Sequence, residues 1–260
     1  MKNLCALIGI SFFAATSAWA QGAAAPVEAA PVVGQVEFGG RVSRITGDSA
    51  RYERYRDLRN GPTLDRFRYE RKHDTWEFLA RVDHAGYRDQ RYVAEFKQYG
   101  KLKADFTWDE VPFFYANSTQ AVTTSPSPGV FRLNDGLQLA LQNRATTGAT
   151  TALYSADLRR FDLRSQRSTA RAALDYRATR TLDLRWSLTS TDRTGSQPWG
   201  VSFGQSNAIE VAAPVDRRSN DMNATAEWSN QRAMARLAYD GSWFNNRVDR
   251  KSTRLNSSHT

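Results

Sequence analysis

The sequence predicts an all-β protein, an antiparallel transmembrane β-barrel of which this chain forms a partial arc of about nine strands. Three observations predict this class. Segments of about ten residues place apolar side chains at every second position, as in Leu182, Leu184, Trp186 and Leu188. A period of two gives a strand one apolar and one polar face. Aromatic residues recur near the strand ends, and an export signal precedes the first strand, so the apolar face is expected to meet lipid.

Residues 1–20 are expected to be a cleaved signal peptide. Lys2 supplies the positive charge, an apolar stretch runs from Leu4 to Ala15, and the small residues Ala18 and Ala20 precede a cleavage site at Gln21. The alternative, an uncleaved membrane anchor, is disfavoured because the apolar stretch is too short to span a bilayer. Residues 21–33 are predicted to form a periplasmic linker.

The chain has one cysteine, Cys5, and it lies inside the predicted leader. A mature chain without a thiol has no disulfide, no thiolate metal site and no CxxCH haem-attachment motif. We therefore predict no cofactor bound by this chain and no metal site.

Alternation and turn signals predict the barrel over residues 34–248, with boundaries accurate to a few residues. The predicted strands are 34–45, 63–70, 75–86, 91–97, 101–110, 168–178, 181–193, 222–229 and 232–244. Long connections, such as 46–62, 111–167 and 194–221, alternate with short turns. Outer-membrane barrels show this asymmetry, because their periplasmic turns are short and their external loops are long.

The longest predicted loop, 111–167, is expected to carry a short helix capped by Asn134 or Asp135. Such a loop could fold into the lumen, cover the outer mouth or bind a partner. It could equally be a loosely ordered external loop.

Residues 249–260 are predicted to be a non-native tail, because DRKSTRLNSSH, from Asp249 to His259, is similar to a translated sequencing adapter. The alternative is a natural polar tail. The native chain is therefore expected to continue beyond Val248, which would also supply a partner for the last strand, since an open sheet edge is costly in lipid.

Aromatic residues near the strand ends predict interfacial girdles at the two membrane surfaces. The alternative reading is the ordinary preference of aromatic residues for strands. The residues assigned to the girdles are Trp76, Trp108, Phe113, Phe114, Trp186, Trp228 and Trp243.

The formal charge of +9 does not indicate a nucleic-acid partner, because the arginines alternate through strands of an exported chain.

Asp109 and Glu110 are adjacent on a strand, so they face opposite sides and cannot act together as acid and base. His73 and His84 are isolated and are interpreted as ordinary polar residues. No catalytic constellation is predicted, and the mixed charges expected on the inner face argue against a strongly ion-selective pore.

The stretch from Gly39 to Arg71, GGRVSRITGDSARYERYRDLRNGPTLDRFRYER, resembles the start of the MtrB/PioB family of decahaem-associated outer-membrane proteins. A second run, Tyr99 to Gln120, resembles that family's strand ending in an E-(I/V)-P-x-(F/Y) turn. The resemblance covers most of residues 34–245. The residues that match its motifs are Gly47, Asp48, Arg51, Tyr55, Arg56, Leu58, Glu110 and Pro112.

The resemblance implies a large barrel that sheathes a multihaem c-type cytochrome and carries no redox centre of its own. It implies a periplasmic cytochrome and outer-membrane lipid as partners, with an extracellular cytochrome as a further one, and a place in the bacterial outer membrane. Some family members carry an N-terminal CxxC, which this chain lacks, so a thiol-dependent role is unsupported. The alternative expectation is a porin or transport channel for small polar solutes; an outer-membrane enzyme is disfavoured, because no residue cluster singles one out.

Overall fold

The computed structural model describes residues 9–10, 32–143, 152, 155, 158–202 and 208–248. The cleavage residues Ala18, Ala20 and Gln21 and the tail 249–260 lie outside the described residues. Within them the chain forms one large antiparallel sheet and a separate two-stranded hairpin. The antiparallel, all-β prediction is therefore confirmed.

The large sheet is a meander in which almost every strand pairs with the next one along the chain. A two-residue strand, Gly9–Ile10 (β1), lies inside the predicted leader and pairs with the first long strand. The long strands are Val32–Arg41 (β2), Gly61–His73 (β3), Trp76–Asp83 (β4), Arg91–Gln98 (β5), Leu102–Ala121 (β6), Arg159–Arg177 (β9), Leu182–Ser202 (β10), Ala208–Ser229 (β11) and Met234–Asn246 (β12). Each corresponds to one predicted strand.

The connections are short at one end of the sheet and longer at the other, as predicted, except that β10 and β11 are joined by 203–207 in place of the predicted long loop. At one end, here called the turn end, the connections are 74–75, 99–101, 178–181 and 230–233. At the other, the loop end, they are 42–60, 84–90, 122–158 and 203–207. The loop at 42–60 contains a short helix, Ser49–Glu53 (α1).

Four strands are much longer than the sequence predicts: β6 has 20 residues, β9 has 19, β10 has 21 and β11 has 22. At about 3.3 Å per residue, a 21-residue strand spans about 70 Å, more than twice the roughly 30 Å of a bilayer core. The boundaries predicted for the loops 111–167 and 194–221 were therefore wrong. Residues 111–121 continue β6, 159–167 belong to β9, 194–202 continue β10 and 208–221 belong to β11.

The connection between β6 and β9 contains the separate hairpin, Thr123–Ser127 (β7) and Val130–Leu133 (β8), followed by Asp135–Gln142 (α2). Asn134 Oδ1 accepts hydrogen bonds from the backbone N–H of Gly136 at 2.8 Å and of Leu137 at 3.4 Å. The predicted capped helix is thus confirmed. A Cβ at Gly129, the hairpin tip, would lie 4.0 Å from Val248 Cγ1, so the hairpin reaches the end of β12.

The sheet is curled, because Cα atoms of β6 and β11 approach within 8 Å although β9 and β10 lie between them. It is not closed: β12 has no strand on its outer side among the described residues, and β1 is the outermost strand at the other edge. No helix among the described residues is both long and apolar enough to cross a membrane.

Gly195 should be intolerant of a side chain, because its φ is +116° and a Cβ there would lie 2.4 Å from the Arg164 carbonyl oxygen. We expect Gly195→Ala to lower the free energy of unfolding by about 1–3 kcal/mol, measured by urea unfolding in lipid vesicles. Gly200→Ala is the control, since nothing lies within 4 Å of its added Cβ. Equal effects of the two substitutions would contradict this prediction.

Candidate functional site

Cross-strand register assigns every side chain of the sheet to one of two faces, because directly paired residues point to the same side. One face, the apolar face, carries mostly aliphatic and aromatic residues between the turn end and the middle of the strands. Its members include Phe67, Tyr69, Trp76, Phe78, Ala80, Val82, Tyr92, Phe96, Leu102, Phe106, Trp108, Ala172, Leu174, Leu184, Trp186, Leu188, Ala224, Trp228, Leu237, Tyr239 and Trp243. The opposite, polar face carries the charged residues.

The apolar face forms a belt that ends abruptly toward the loop end. On β10 the apolar residues stop at Leu188, and Asp192 of the same face is bound by Arg218 of β11, with N–O distances of 2.6–3.0 Å. Arg247 reaches the same carboxylate at 3.2 Å. A belt of limited height followed by charges is what a lipid-facing surface requires, because charged groups are costly in hydrocarbon.

Five of the seven girdle residues lie on the apolar face, namely Trp76, Trp108, Trp186, Trp228 and Trp243. Trp228 and Trp243 are 40% and 49% exposed, as lipid-facing rings would be. Their position at the membrane interface stays a prediction.

Phe113 and Phe114 do not lie in the predicted girdle. The Phe113 ring is 5.1 Å from the Tyr55 ring and 4.5 Å from the Tyr115 ring, on the polar-face side of β6. Phe114 is only 2% exposed, with the Arg88 guanidinium 5.9 Å from its ring centre. Both residues hold loops to the loop-end part of β6, which sequence position alone did not reveal.

The polar face is built from cross-strand rows of charge. Nearest the turn end, one row crosses six strands in direct register: Lys72, Glu77, Lys97, Lys103, Asp175 and Arg185. The next row holds Glu70, Glu95 and Asp105, and the one after it Arg68, Arg81 and Arg171. Rows of opposite sign therefore lie two residues apart, about 7 Å, along the strands.

Ion pairs within a row and between neighbouring rows neutralise many of these charges. Lys97 Nζ is 3.3 Å from a Glu77 oxygen, and Lys103 Nζ is 3.1 Å from an Asp105 oxygen. Arg68 reaches Glu70 at 2.8 Å. Two clefts of about 270 and 290 Å³ open on this face between the charged side chains. The charges that the sequence assigned to the inner face thus lie together on one face, where many of them form ion pairs.

The polar face changes character from one half of the sheet to the other. From β3 to β6 it carries long charged side chains, whereas from β9 to β11 short ones predominate. The short residues are Ala173, Ser187, Thr189, Thr191, Ser219, Asn223 and Thr225. Short polar side chains therefore predominate on this half of the wall between the charged rows that contain Arg185 and Arg193.

The residues that match the family motif gather at the loop end, in the cluster formed by loop 42–60, loop 84–90 and β6, here called the rim cluster. Gly47 has a φ of +104°, which glycine adopts without strain. Asp48 caps α1 by accepting from the backbone N–H of Arg51 at 3.2 Å. Tyr55 packs on Phe113, and the backbone N–H of Phe114 donates to the Arg54 carbonyl at 3.0 Å. The motif thus fastens the first loop to β6.

Asp57 lies at the centre of the rim cluster and is 2% exposed. Its carboxylate accepts from Arg59 Nε at 2.9 Å and from the backbone N–H of Arg88 at 3.0 Å. Its carbonyl oxygen accepts from Arg41 at 3.0 Å. The sequence placed Asp57 inside the motif but did not single it out, because its partner Arg88 is 31 residues away in the chain.

The remaining motif residues complete the same cluster. Arg56 lies 3.8 Å from Asp89, which also contacts His84 Nδ1 at 3.1 Å. Glu110 accepts from Gln90 Nε2 at 2.9 Å, Pro112 is fully buried, and Leu58 is half-buried. Asp109 pairs with Arg91 on the polar face at 3.9 Å, so Asp109 and Glu110 point to opposite sides as predicted.

Burial raises the pKa of Glu53, at the end of α1, and the Asp57 carboxylate adds to the rise while Arg88 opposes it.

His73 stacks on Trp76, with 5.8 Å between ring centres. No group of three or more His, Cys, Asp or Glu residues is placed to hold a metal ion in the part of the chain that the structure describes.

The curled antiparallel sheet, with a belted apolar face, a charged opposite face and its longer connections at one end, defines the class of outer-membrane β-barrels. The family model "Putative outer membrane beta-barrel porin, MtrB/PioB" matches residues 45–257, and the chain belongs to this family. The match includes the rim cluster and every long strand from β3 onward. A search of curated proteins finds no match.

The assignment of side chains to the two faces can be tested at Ala172 and Ala173, which are neighbours on β9 and point to opposite faces. Ala172 pairs with Phe106 and Leu188, whereas Ala173 pairs with Asp105 and Ser187. We expect Ala172→Arg to cost about 2–4 kcal/mol of folding free energy in vesicles, because it places a charge in lipid. Ala173→Arg, the matched control, should be close to neutral. Similar costs for both would contradict the assignment of the faces.

Asp57→Ala should loosen the rim cluster, because it leaves the Arg88 backbone N–H and Arg59 Nε without their acceptor. We expect a local loss of about 1–3 kcal/mol, seen as faster hydrogen exchange and proteolysis within 42–60. Asp74→Ala, at an exposed turn, is the control. Unchanged protection of loop 42–60 in Asp57→Ala would show that the carboxylate does not hold it.

Proposed function

We propose that this chain forms part of an outer-membrane barrel that sheathes and positions a multihaem c-type cytochrome for electron transfer across the membrane. The barrel itself supplies no redox centre in this proposal. A cleaved leader would export the chain, and its partners would be a periplasmic cytochrome, an extracellular cytochrome and outer-membrane lipid. Membership of the MtrB/PioB family and the sequence resemblance supply the starting point.

The observation that carries the proposal is the polar face. Its charges are largely neutralised by one another, as in the Lys97–Glu77 and Lys103–Asp105 pairs, so the wall lacks a dominant sign that would select a small ion. The short side chains that lie between Arg185 and Arg193 on β10, and beside them on β9 and β11, leave room for a folded protein to approach the wall. A protein filling the lumen would also replace the missing contacts of exposed polar side chains.

A porin for small polar solutes is the second candidate. The hairpin β7–β8 favours it, because its tip reaches from β6 to the end of β12 and a loop with this reach could constrict a pore. The porin candidate requires ion conductance from a barrel purified without cytochrome. A barrel filled by a cytochrome should conduct poorly.

The proposal is tested by purifying the epitope-tagged, full-length barrel from its host in mild detergent and measuring haem absorbance and haem staining per barrel. We expect stoichiometric c-type haem. Ser187→Arg, which inserts a long side chain between Ala173 and Asn223, should lower the haem-to-barrel ratio. Thr194→Arg, on the opposite face and past the Asp192–Arg218 pair that ends the belt, should not.

A haem-free barrel from a host that makes cytochromes would refute the proposal. If that barrel also conducts ions in planar bilayers, the porin candidate replaces it.

A further inference from the structure

Three arginines lie side by side on the polar face, one from each of three adjacent strands. Arg193 of β10 is in direct register with Arg167 of β9 on one side and with Arg217 of β11 on the other. Directly opposed residues of antiparallel strands have Cβ atoms about 4.5–5.5 Å apart, and like charges in such pairs repel. We call this row the arginine triad.

The triad lacks the counter-charges that the other cationic rows have. Among the residues that the structure describes, none of the three arginines forms an ion pair, and only Arg193 has a side-chain hydrogen bond, donating to Tyr115 Oη at 2.9 Å. Asp109, diagonal to Arg167 on this face, lies 3.9 Å from Arg91 instead. By contrast, Lys97, Lys103 and Arg68 each have a carboxylate within 3.3 Å.

The rows that flank the triad leave space and supply hydroxyl groups. Toward the turn end, the neighbouring row in register is Thr169, Thr191 and Ser219. Toward the loop end, it is Ser165, Gly195 and Val215, of which Ser165 is 4% and Val215 8% exposed. On their loop-end side, the guanidinium groups therefore border buried residues to which water has little access. Arg167 and Arg217 themselves stay exposed.

We infer that the arginine triad is a binding site for an oxyanion, a phosphate or carboxylate group, on the inner wall of the barrel. Guanidinium groups bind the oxygens of such anions bidentately, and a bound anion would remove the repulsion between the three cations. Because rotatable hydroxyls flank the row, they can donate to the remaining oxygens. The anion can come from a free inorganic ion or from a carboxylate of a protein in the lumen.

The test is equilibrium binding of inorganic phosphate to the full-length barrel, freed of any lumen protein and reconstituted in vesicles, at constant ionic strength, followed by ³¹P NMR. We expect saturable binding of one phosphate per chain. Replacing Arg167, Arg193 and Arg217 together by Gln should weaken it by about tenfold or more. Arg193→Gln alone, which disturbs the fold less than the triple substitution does, should also weaken phosphate binding.

The matched control replaces Lys72, Lys97 and Lys103 by Gln, which removes the same charge from another row of the same face. It should leave phosphate binding within about twofold of the original. No saturable binding, or an equal loss in the control, would overturn the inference. If the barrel purified with its lumen protein also binds phosphate, the ligand is a free ion. If only the empty barrel binds it, a carboxylate of that protein occupies the triad.

Discussion

The need to pair every backbone N–H and C=O group inside the chain governs this structure. Hydrocarbon offers these groups no partner, so a chain that crosses it in strands must pair each strand with its neighbours. The meander from β2 to β12 follows directly, since each strand is closest to the next one along the chain. Among the described residues, this requirement is unmet at the outer edges of the sheet, and a strand beside β12 is what that edge would need in lipid.

Pairing alone does not fix which residues face lipid, because a one-residue shift moves every side chain to the other face. The rim cluster helps to fix it. Asp57, Tyr55 and Arg88 join the first two loop-end connections to β6, so strands distant in sequence are held at one relative height. The residues of the family motif therefore have a structural role. Asp48 caps α1, and Tyr55 and Glu110 join the loops to the loop-end part of β6.

Sequence periodicity located all nine long strands because each has an apolar and a polar face within the belt. It failed beyond the belt, as on β10, where the polar residues from Ser190 onward occupy both faces and leave no period to detect. The backbone continues to pair there regardless. The cap of α2 was predictable, since Asn134 precedes the helix directly. The burial of Phe114 was not, because it depends on Arg88 and Arg54, which only the folded chain brings near.

The charges of the polar face show the same division between local and long-range information. Alternation places an arginine or a carboxylate on the inner side of each strand, but the sign of its neighbour depends on register. At the turn end, register sets Lys72 against Glu77, so that pairing across strands and between rows neutralises the wall. Farther toward the loop end, the same rule sets Arg167 against Arg193 and Arg193 against Arg217. A chain selected only for a stable wall would place a carboxylate in that row, since one acidic residue would replace two repulsions by two attractions. Three adjacent cations without a carboxylate partner are the arrangement that an anion from outside the described chain would stabilise.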